Sequence, residues 1–266
     1  MRRAAVMRRA VIRRAALALA AIMLAAAGPP PAARPISRMN TQWWRARHEA
    51  KLAEIRHERV DLVFLGDSIT QDWEKSGPPP WQDFRPVWQR FYGARHAVNL
   101  GFKGDATSHL LWRIEHGEID GIAPRAAVIL IGANNLGRLH WSAQDTVEGI
   151  DAVVAEARRR LPHTGIILLG VLPSIRNAWV DRSTAEINAA LAAHYGGGKV
   201  QGVTYLDVTP IFMKDGKVDP ADFLDPHLTP PEPPLHPTPA AQAGIAEAVE
   251  PALKRLLAAP PLATTP

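Results

Sequence analysis

The sequence contains no cysteine, and this absence excludes a disulfide-stapled scaffold, a thiolate metal site and a cysteine nucleophile. It also lacks the HExxH pattern of zinc metalloproteases, the phosphate loop and the glycine pattern of dinucleotide-binding folds. Asp67 and Asp105 follow two apolar runs, but neither has a histidine at the spacing of a metal site. We therefore expect no metal and no cofactor.

Acidic residues are absent from positions 1–27, although six of the 31 basic residues lie there. The formal net charge of +5 therefore arises in this segment, since the rest of the chain carries 25 basic and 26 acidic side chains. A nearly neutral body offers no basic stripe to the phosphate backbone of a nucleic acid. We expect no nucleic-acid partner.

A long hydrophobic run is also missing from the first 27 residues. The arginine-rich start leads into only 13 apolar residues, at 15–27, whereas a membrane span needs about 20. A positive start, a short apolar core and small residues at its end are typical of a secretory signal peptide. We predict that residues 1–27 are a cleaved signal peptide and that the protein is exported, to the periplasm or the medium. A retained membrane anchor is the alternative.

Closely spaced prolines at 28–38 are typical of an extended linker, because proline interrupts both helix and sheet. Residues 40–58 predict a short helix packed on the edge of a domain. Together, residues 28–58 are interpreted as a proline-rich linker and N-terminal extension. The domain itself is predicted over 59–258, and residues 259–266 form a C-terminal tail.

Within the domain, apolar runs alternate with stretches in which apolar residues recur at helical spacing. The predicted strands cover 60–65, 97–100, 127–131, 166–172 and 203–207. The predicted helices cover 106–115, 144–161, 182–195 and 238–257. This alternation predicts an α/β fold in which a five-stranded parallel sheet lies between two layers of helices, as a three-layer flavodoxin-like sandwich.

Ligands of such sheets bind beyond the carboxyl ends of the strands, so we searched the residues that follow each apolar run. Ser68 stands at a strand-to-helix turn, where a serine is either a helix N-cap or a nucleophile. Gly104 and Asn134 follow the next two strands, and each either shapes a tight turn or presents an N–H to an oxyanion. His236 precedes the last helix and is either a solvated side chain or a base.

Taken together, these segments resemble the GDSL-type SGNH hydrolases. The resemblance is carried by GDSIT at 66–70, NLGFKGD at 99–105, LLWRIEHGEI at 110–119, GANN at 132–135 and LHPTP at 235–239. It extends over roughly residues 59–257. The stretch 96–135 looks most like the catalytic subunits of intracellular platelet-activating factor acetylhydrolase and their bacterial relatives.

The resemblance implies a role for each of the four residues. Ser68 matches the nucleophile and His236 the base, while Gly104 and Asn134 match the backbone and side-chain donors to the oxyanion, together with the N–H of Ser68. Relatives in the acetylhydrolase group pair as dimers, so the resemblance also implies a homodimer as an expectation.

The acid that orients the histidine departs from the family pattern. The family places an Asp three residues before its His, where this chain has Pro233. Asp225 lies eleven residues before His236 and reaches it if the proline-rich stretch 226–234 bulges outward. An extended chain of that length spans roughly 35 Å, far more than the gap to be closed. We therefore predict that Asp225 is the acid.

Other assignments of the acid remain open. Glu232 is nearer in sequence, but it lies between prolines that restrict its backbone. Asp222 belongs to a rival register that uses His227, which would lie ten residues from the closing helix, whereas His236 adjoins that helix. A further alternative is that the site has no acid.

The sequence and the resemblance together predict an exported, metal-independent serine esterase that hydrolyses short-chain esters, acetyl esters above all, through an acyl-enzyme. Its substrate is expected to be a small-molecule ester or an ester of a glycan or lipid. A cell-envelope polysaccharide O-acetyltransferase or deacetylase using the same site is one alternative. A non-catalytic carbohydrate- or lipid-binding module is another, and the missing Asp at position 233 favours it.

Overall fold

The computed structural model describes residues 28–77 and 83–259. The predicted signal peptide lies outside the described residues, as does the predicted tail beyond its first residue. The chain divides into two units, and the larger one, Pro31–Pro266, contains the fold. Among the described residues, no helix has the length and apolar character required to span a bilayer.

Five parallel strands form the central sheet of the described chain. They are β1 (Leu62–Gly66), β2 (Ala97–Gly101), β3 (Ala126–Leu130), β4 (Gly165–Leu169) and β5 (Val203–Leu206). Their order across the sheet is β2-β1-β3-β4-β5, and β1, β3 and β4 are buried along their whole length. Burial on both faces explains why these strands appear in the sequence as continuous apolar runs.

Helices cover both faces of this sheet. In the described residues the α-helices are α1 (Gln42–His57), α2 (Ser68–Gln71), α3 (Arg85–Tyr92), α4 (Thr107–Arg113), α5 (Ala133–Gly137), α6 (Ala143–Arg160), α7 (Ala178–Tyr195) and α8 (Pro239–Ala258). The helices α4, α6 and α7 pack side by side, whereas α3 and α8 pack on each other. The three-layer α/β sandwich predicted from the strand–helix alternation is therefore confirmed.

Two predicted boundaries differ from the observed ones for identifiable reasons. The helix predicted over 182–195 begins earlier, at Ala178, because the side chain of Asn177 caps its first turn by accepting two backbone hydrogen bonds. The strand predicted over 166–172 ends at Leu169. Gly170 still donates to the carbonyl oxygen of Leu206 in β5, but at Val171 the side-chain amide of Asn188 from α7 bonds the backbone in place of a neighbouring strand.

The proline-rich segment before α1 packs on the domain, so its interpretation as an extended linker over 28–38 needs correction. Pro31–Ala33 form a 3-10 turn, and Ala32 is fully buried. The carbonyl oxygen of Ala32 accepts a hydrogen bond from the hydroxyl of Thr107 at 2.7 Å. The prolines restrict the backbone of this segment, and tertiary contacts hold the segment against the helical layer.

A candidate serine hydrolase site

Ser68 is the first residue of α2, two residues beyond the end of β1. Asp67 lies between them and caps the helix, because its Oδ1 accepts the N–H of Ile69 at 2.9 Å. The side chain of Ser68 therefore lies at the carboxyl edge of the sheet, where ligands of parallel sheets bind.

Two glycines allow α2 to lie directly on the ends of two strands. A Cβ on Gly66, the last residue of β1, would collide with the side chain of Thr70. A Cβ on Gly101, the last residue of β2, would collide with the backbone nitrogen of Gln71. Any larger residue at either position would push the helix, and Ser68 with it, away from the sheet.

His236 and Asp225 form a hydrogen-bonded chain with Ser68. Nε2 of His236 lies 3.0 Å from Oγ of Ser68, and Nδ1 of His236 lies 2.8 Å from Oδ1 of Asp225. Because a carboxylate only accepts, Nδ1 donates to Asp225 and Nε2 is left to accept from the serine hydroxyl. The contact predicted between Asp225 and the far ring nitrogen of His236 is present.

The loop between these two residues returns on itself, as predicted for 226–234. Its ends run antiparallel, and the N–H of Leu224 donates to the carbonyl oxygen of His236 at 2.8 Å. Oδ2 of Asp225 accepts the backbone N–H of Leu235 at 2.8 Å and that of His236 at 2.5 Å. The carboxylate of Asp225 thus orients the imidazole of His236, and the backbone N–H of His236 in turn holds that carboxylate in place.

Neither alternative acid contacts the histidine in the described structure. The side chain of Glu232 is exposed, and this residue instead donates its backbone N–H to the carbonyl oxygen of Asp225 at 2.9 Å. Asp222 accepts the N–H of Thr238 through its own carbonyl oxygen at 2.8 Å, which fixes the start of α8. Both residues therefore shape the loop, and Asp225 supplies the carboxylate.

The contact between Asp225 and His236 shifts the pKa of both groups. Burial by itself would lower the pKa of His236, but the hydrogen bond and the charge of Asp225 outweigh burial, and the pKa lies above its ordinary value. Burial would raise the pKa of Asp225, but the hydrogen bonds from His236 and Leu235 outweigh it and lower that pKa. Asp225 is therefore ionised near neutral pH.

Asn134 joins the segments that contain the other predicted site residues. It lies in α5, and its Nδ2 donates to the carbonyl oxygen of Asp105 at 2.9 Å and to Oδ2 of Asp67 at 3.2 Å. One partner directly follows Gly104 and the other directly precedes Ser68. The structure therefore brings the ends of β1, β2 and β3 together around one side-chain amide.

Gly104 occupies a turn whose geometry favours glycine, since its φ of 75° lies in the left-handed region. The turn is bonded to the helix of the serine, because the N–H of Lys103 donates to Oε1 of Gln71 at 2.7 Å. Within the described residues, the backbone N–H groups of Gly104 and Ser68 donate to no protein acceptor. Both groups remain available to a bound oxygen atom.

Asp105 anchors this turn through both oxygens of its carboxylate, which is fully buried. Oδ2 accepts from Nε of Arg113 at 2.8 Å. Oδ1 accepts from the indole N–H of Trp44 at 2.8 Å and from Arg38 at 2.7 Å. These bonds compensate for the removal of the charge from water, and they hold the backbone beside Gly104 in one conformation.

Arg113 supports the site, and sequence reasoning missed it. Its buried guanidinium donates to the carbonyl oxygens of Gly66 and Leu100, each at 3.0 Å, and pairs with Glu118. It therefore ties the end of β1 to that of β2. The available signal was its place in the segment at 110–119, which carries part of the resemblance.

Asp67 and Asp105 serve the fold as a helix cap and an anchor. Burial raises the pKa of Asp67 to about 7, because the hydrogen bond from Ile69 only partly offsets the loss of hydration. Among the residues that the structure describes, no group of three or more histidine or carboxylate side chains is placed to hold a metal ion.

A parallel α/β sheet with a serine–histidine–aspartate chain at its carboxyl edge defines a serine hydrolase. Within that class, residues 64–243 match the model of the GDSL-like lipase/acylhydrolase family. The chain belongs to this family and is a carboxylic ester hydrolase. The resemblance identified from the sequence motifs is confirmed.

Individual relatives agree with this assignment. The chain is 30% identical over 204 residues to the human platelet-activating factor acetylhydrolase IB subunit alpha1, covering 73% of this chain and 80% of that protein. A GDSL-like lipase from Bacteroides thetaiotaomicron has the same fold, with a TM-score of 0.59, 17% identity, and coverage of 79% and 97%. A carbohydrate esterase of family 3 from Talaromyces cellulolyticus shares it as well, with a TM-score of 0.54, 16% identity, and coverage of 74% and 98%.

Proposed function

We propose that this protein, once exported, hydrolyses short-chain esters, acetyl esters above all, by forming an acyl-enzyme on Ser68. The observation that carries the proposal is a chain of two hydrogen bonds, 3.0 Å between Ser68 and His236 and 2.8 Å between His236 and Asp225. In such a chain a serine hydroxyl becomes a nucleophile near neutral pH.

The chemistry begins with proton transfer from the hydroxyl of Ser68 to Nε2 of His236 as Oγ attacks the ester carbonyl carbon. The carboxylate of Asp225 stabilises the imidazolium that results. The tetrahedral intermediate then collapses, the C–O bond to the alcohol breaks, and the imidazolium gives its proton to the departing alcohol. Water, deprotonated by the same imidazole, attacks the acyl-enzyme, and the acid leaves as Ser68 regains its proton.

The oxyanion of each tetrahedral intermediate requires donors that are already in place. We assign this role to the backbone N–H groups of Ser68 and Gly104 and to the side-chain amide of Asn134. The side-chain amide of Asn134 makes two hydrogen bonds, and the one to Asp67, at 3.2 Å, is the longer. The N–H group in this longer bond is the one that we expect to turn toward the substrate. Loss of one such donor typically costs about 10²–10³ in rate.

The short acyl group and the export rest on separate observations. The human relative is named an acetylhydrolase, which supports an acetyl group. The composition of residues 1–27 supports export, because a positive start and a short apolar core are typical of a signal peptide. Sequencing the N-terminus of the protein from its native host should find Gly28 first, whereas Met1 would contradict cleavage.

The contact between Asp225 and His236 counts against a non-catalytic binding module. The feature that favoured such a module was Pro233 in the place of the family acid. Asp225 makes the contact that Pro233 cannot make. A protein that only bound its ligand would have no use for a histidine held between a carboxylate and a serine hydroxyl.

Covalent labelling with a fluorophosphonate tests the nucleophile. The wild-type chain and the Ser76→Ala variant should both be labelled, because Ser76 is an exposed serine whose side chain forms no hydrogen bond with a histidine among the described residues. The Ser68→Ala variant should lose both the label and the esterase activity while its circular dichroism stays unchanged. Labelling of a folded Ser68→Ala variant would refute the assignment.

A rate profile across p-nitrophenyl esters from acetyl to octanoyl tests the acyl group, and kcat/KM should be highest for acetyl. Acetylated sugars assayed in parallel, with and without an acceptor sugar, separate hydrolysis from acetyl transfer to a second hydroxyl. A maximum at octanoyl would contradict the acetyl preference but leave the esterase in place.

A further inference from the structure

Two guanidinium groups at the carboxyl edge of the sheet have no carboxylate partner. Arg138 directly follows α5 and is exposed, while Arg176 is half-buried in the loop after β4. Among the described residues, neither contacts an Asp or Glu side chain, whereas Arg38 and Arg113, which also lie near this edge, each pair with Asp105. The residues outside the described ranges include no Asp or Glu.

Each of these guanidinium groups fills the space that a glycine leaves open. A Cβ on Gly104 would collide with Nη1 of Arg138, and a Cβ on Gly137 would collide with Nη1 of Arg176. Gly104 is the assigned oxyanion donor, and Gly137 ends the helix that carries Asn134. Both cations therefore lie against the backbone that forms the oxyanion side of the site.

The position of Arg176 is fixed by hydrogen bonds to uncharged groups. Its Nε donates to Oγ of Ser174 at 2.9 Å, and its Nη2 donates to the carbonyl oxygen of Ala133 at 3.1 Å. Burial lowers the pKa of Arg176, and the charges of Asp67 and Asp225 offset this only in part. The group is thus a partly dehydrated cation within the field of the site.

The loops that carry the two arginines adjoin each other. The ring of His140, two residues after Arg138, lies 6.1 Å from the ring of Trp179, three residues after Arg176. Arg38, whose guanidinium also lies near Gly104, is neutralised by pairing with Asp105, whereas Lys103 is exposed and forms no ion pair among the described residues. Two guanidinium groups without a carboxylate partner therefore lie on adjoining loops, beside the backbone of Gly104 and of Gly137.

We infer that Arg138 and Arg176 bind an oxyanion group, a carboxylate or a phosphate, on the alcohol part of the ester. A guanidinium donates charge-assisted hydrogen bonds to either group, and such bonds are stronger than neutral ones. We place the anionic group on the alcohol because an acetyl group carries no ionisable substituent. This inference rests on the proposed esterase activity and adds the substrate class.

Three acetyl esters that share a phenolic leaving group test the inference: phenyl acetate, 4-acetoxybenzoate and 4-acetoxyphenyl phosphate. For the wild-type enzyme, kcat/KM should be about tenfold higher for an anionic ester than for phenyl acetate, as expected of a charge-assisted hydrogen bond. The preference should weaken as ionic strength rises. Comparison of the carboxylate with the phosphate identifies which anion the site prefers.

Substitutions show which residues cause the preference for anionic esters. Arg138→Gln and Arg176→Gln should each lower the ratio of anionic to neutral kcat/KM by about fivefold or more. Gly137→Ala should also lower it, because the new Cβ displaces the guanidinium of Arg176 while its charge is kept. Arg56→Gln is the matched control, since Arg56 is an exposed arginine at the end of α1, and it should leave the ratio unchanged.

The outcomes separate this inference from the proposed function. Hydrolysis of all three esters with equal kcat/KM, or a preference that survives in both arginine variants, would overturn the inference and leave the esterase intact. Absence of hydrolysis of every ester would refute the proposed function and the inference with it. If the arginine variants do not fold, the salt dependence of the wild-type ratio still decides, because a ratio that is unaffected by salt contradicts charge recognition.

Discussion

At the scale of single residues, the carboxylate of Asp225 both orients a side chain and closes a loop. One oxygen accepts from the imidazole of His236, and the other accepts two backbone N–H groups of the returning chain. Any change that opens this loop therefore displaces acid and base together. Such coupling explains how Pro233 can stand where the family has its acid, because the shape of the loop rather than distance along the chain places the carboxylate.

The Asp225→Asn variant should lose about 10³-fold or more in kcat, with KM nearly unchanged. An amide neither fixes the required imidazole tautomer nor stabilises the imidazolium in the transition state. Glu232→Gln is the control and should retain full activity, because that side chain is exposed. Turnover of p-nitrophenyl acetate by both variants checks this, and the reverse pattern would transfer the role to Glu232.

The pH dependence of kcat/KM should report the raised pKa of His236. Only the neutral imidazole accepts the proton of Ser68, so activity should be lost as pH falls through a midpoint above the ordinary value of about 6.5. Asp225→Asn removes the charge that raises this pKa, and the midpoint should then move to lower pH. A midpoint that is the same in both proteins would mean that the acid limb belongs to another group.

At the scale of elements, the position of the nucleophile depends on how closely α2 approaches two strand ends. Gly66 and Gly101 have no side chain to separate the helix from the sheet. Arg113 donates to the carbonyl oxygens of Gly66 and Leu100, near the ends of the same two strands. The short helix thus rests on a rigid support, which a reacting group requires to stay within a few tenths of an ångström of its geometry.

The Gly101→Ala variant should lower both stability and kcat, because its Cβ would collide with the backbone of Gln71, which cannot rotate away. Overpacking of this kind typically costs about 1–3 kcal/mol. Gly196→Ala is the matched control, since the space around Gly196 is open and its φ of −62° suits alanine. Thermal unfolding and esterase assays on both variants check the prediction, and an unimpaired Gly101→Ala variant would contradict it.

At the scale of the whole molecule, the segment before the first strand supports the site. Arg38 and Trp44 reach the buried carboxylate of Asp105, which anchors the turn of Gly104. Ala32, earlier in the same segment, is buried and accepts a hydrogen bond from Thr107 in the helical layer. The N-terminal residues from Pro31 onward are therefore part of the hydrolase fold.

Two truncations should separate residues 1–27 from this segment. A chain that begins at Gly28 should unfold at the same temperature as the full chain and retain its activity. A chain that begins at Gln42 loses the burial of Ala32 and the pairing of Arg38 with Asp105, so its Tm should fall by about 5–10 °C and its kcat should drop. Equal melting temperatures for the two truncated chains would contradict the role assigned to the segment.

Much of this architecture follows from the sequence alone. The strands β1, β3 and β4 are readable because strands buried on both faces must be apolar along their length, and the parallel orientation of the five strands follows from their alternation with helices. Ser68, Gly104 and Asn134 are readable because each lies two to four residues beyond the end of a strand, and the carboxyl ends of parallel strands meet at one edge. These features depend on short stretches of chain.

Other features depend on residues that are distant in sequence and close in space. Asp225 was one of several alternatives until the antiparallel closure of its loop placed it against His236. The support from Arg38 and Arg113 was missed because a buried ion pair leaves no periodic pattern in the chain. A charged residue has the same composition and local propensity whether it faces solvent or a carboxylate, and only packing decides between the two.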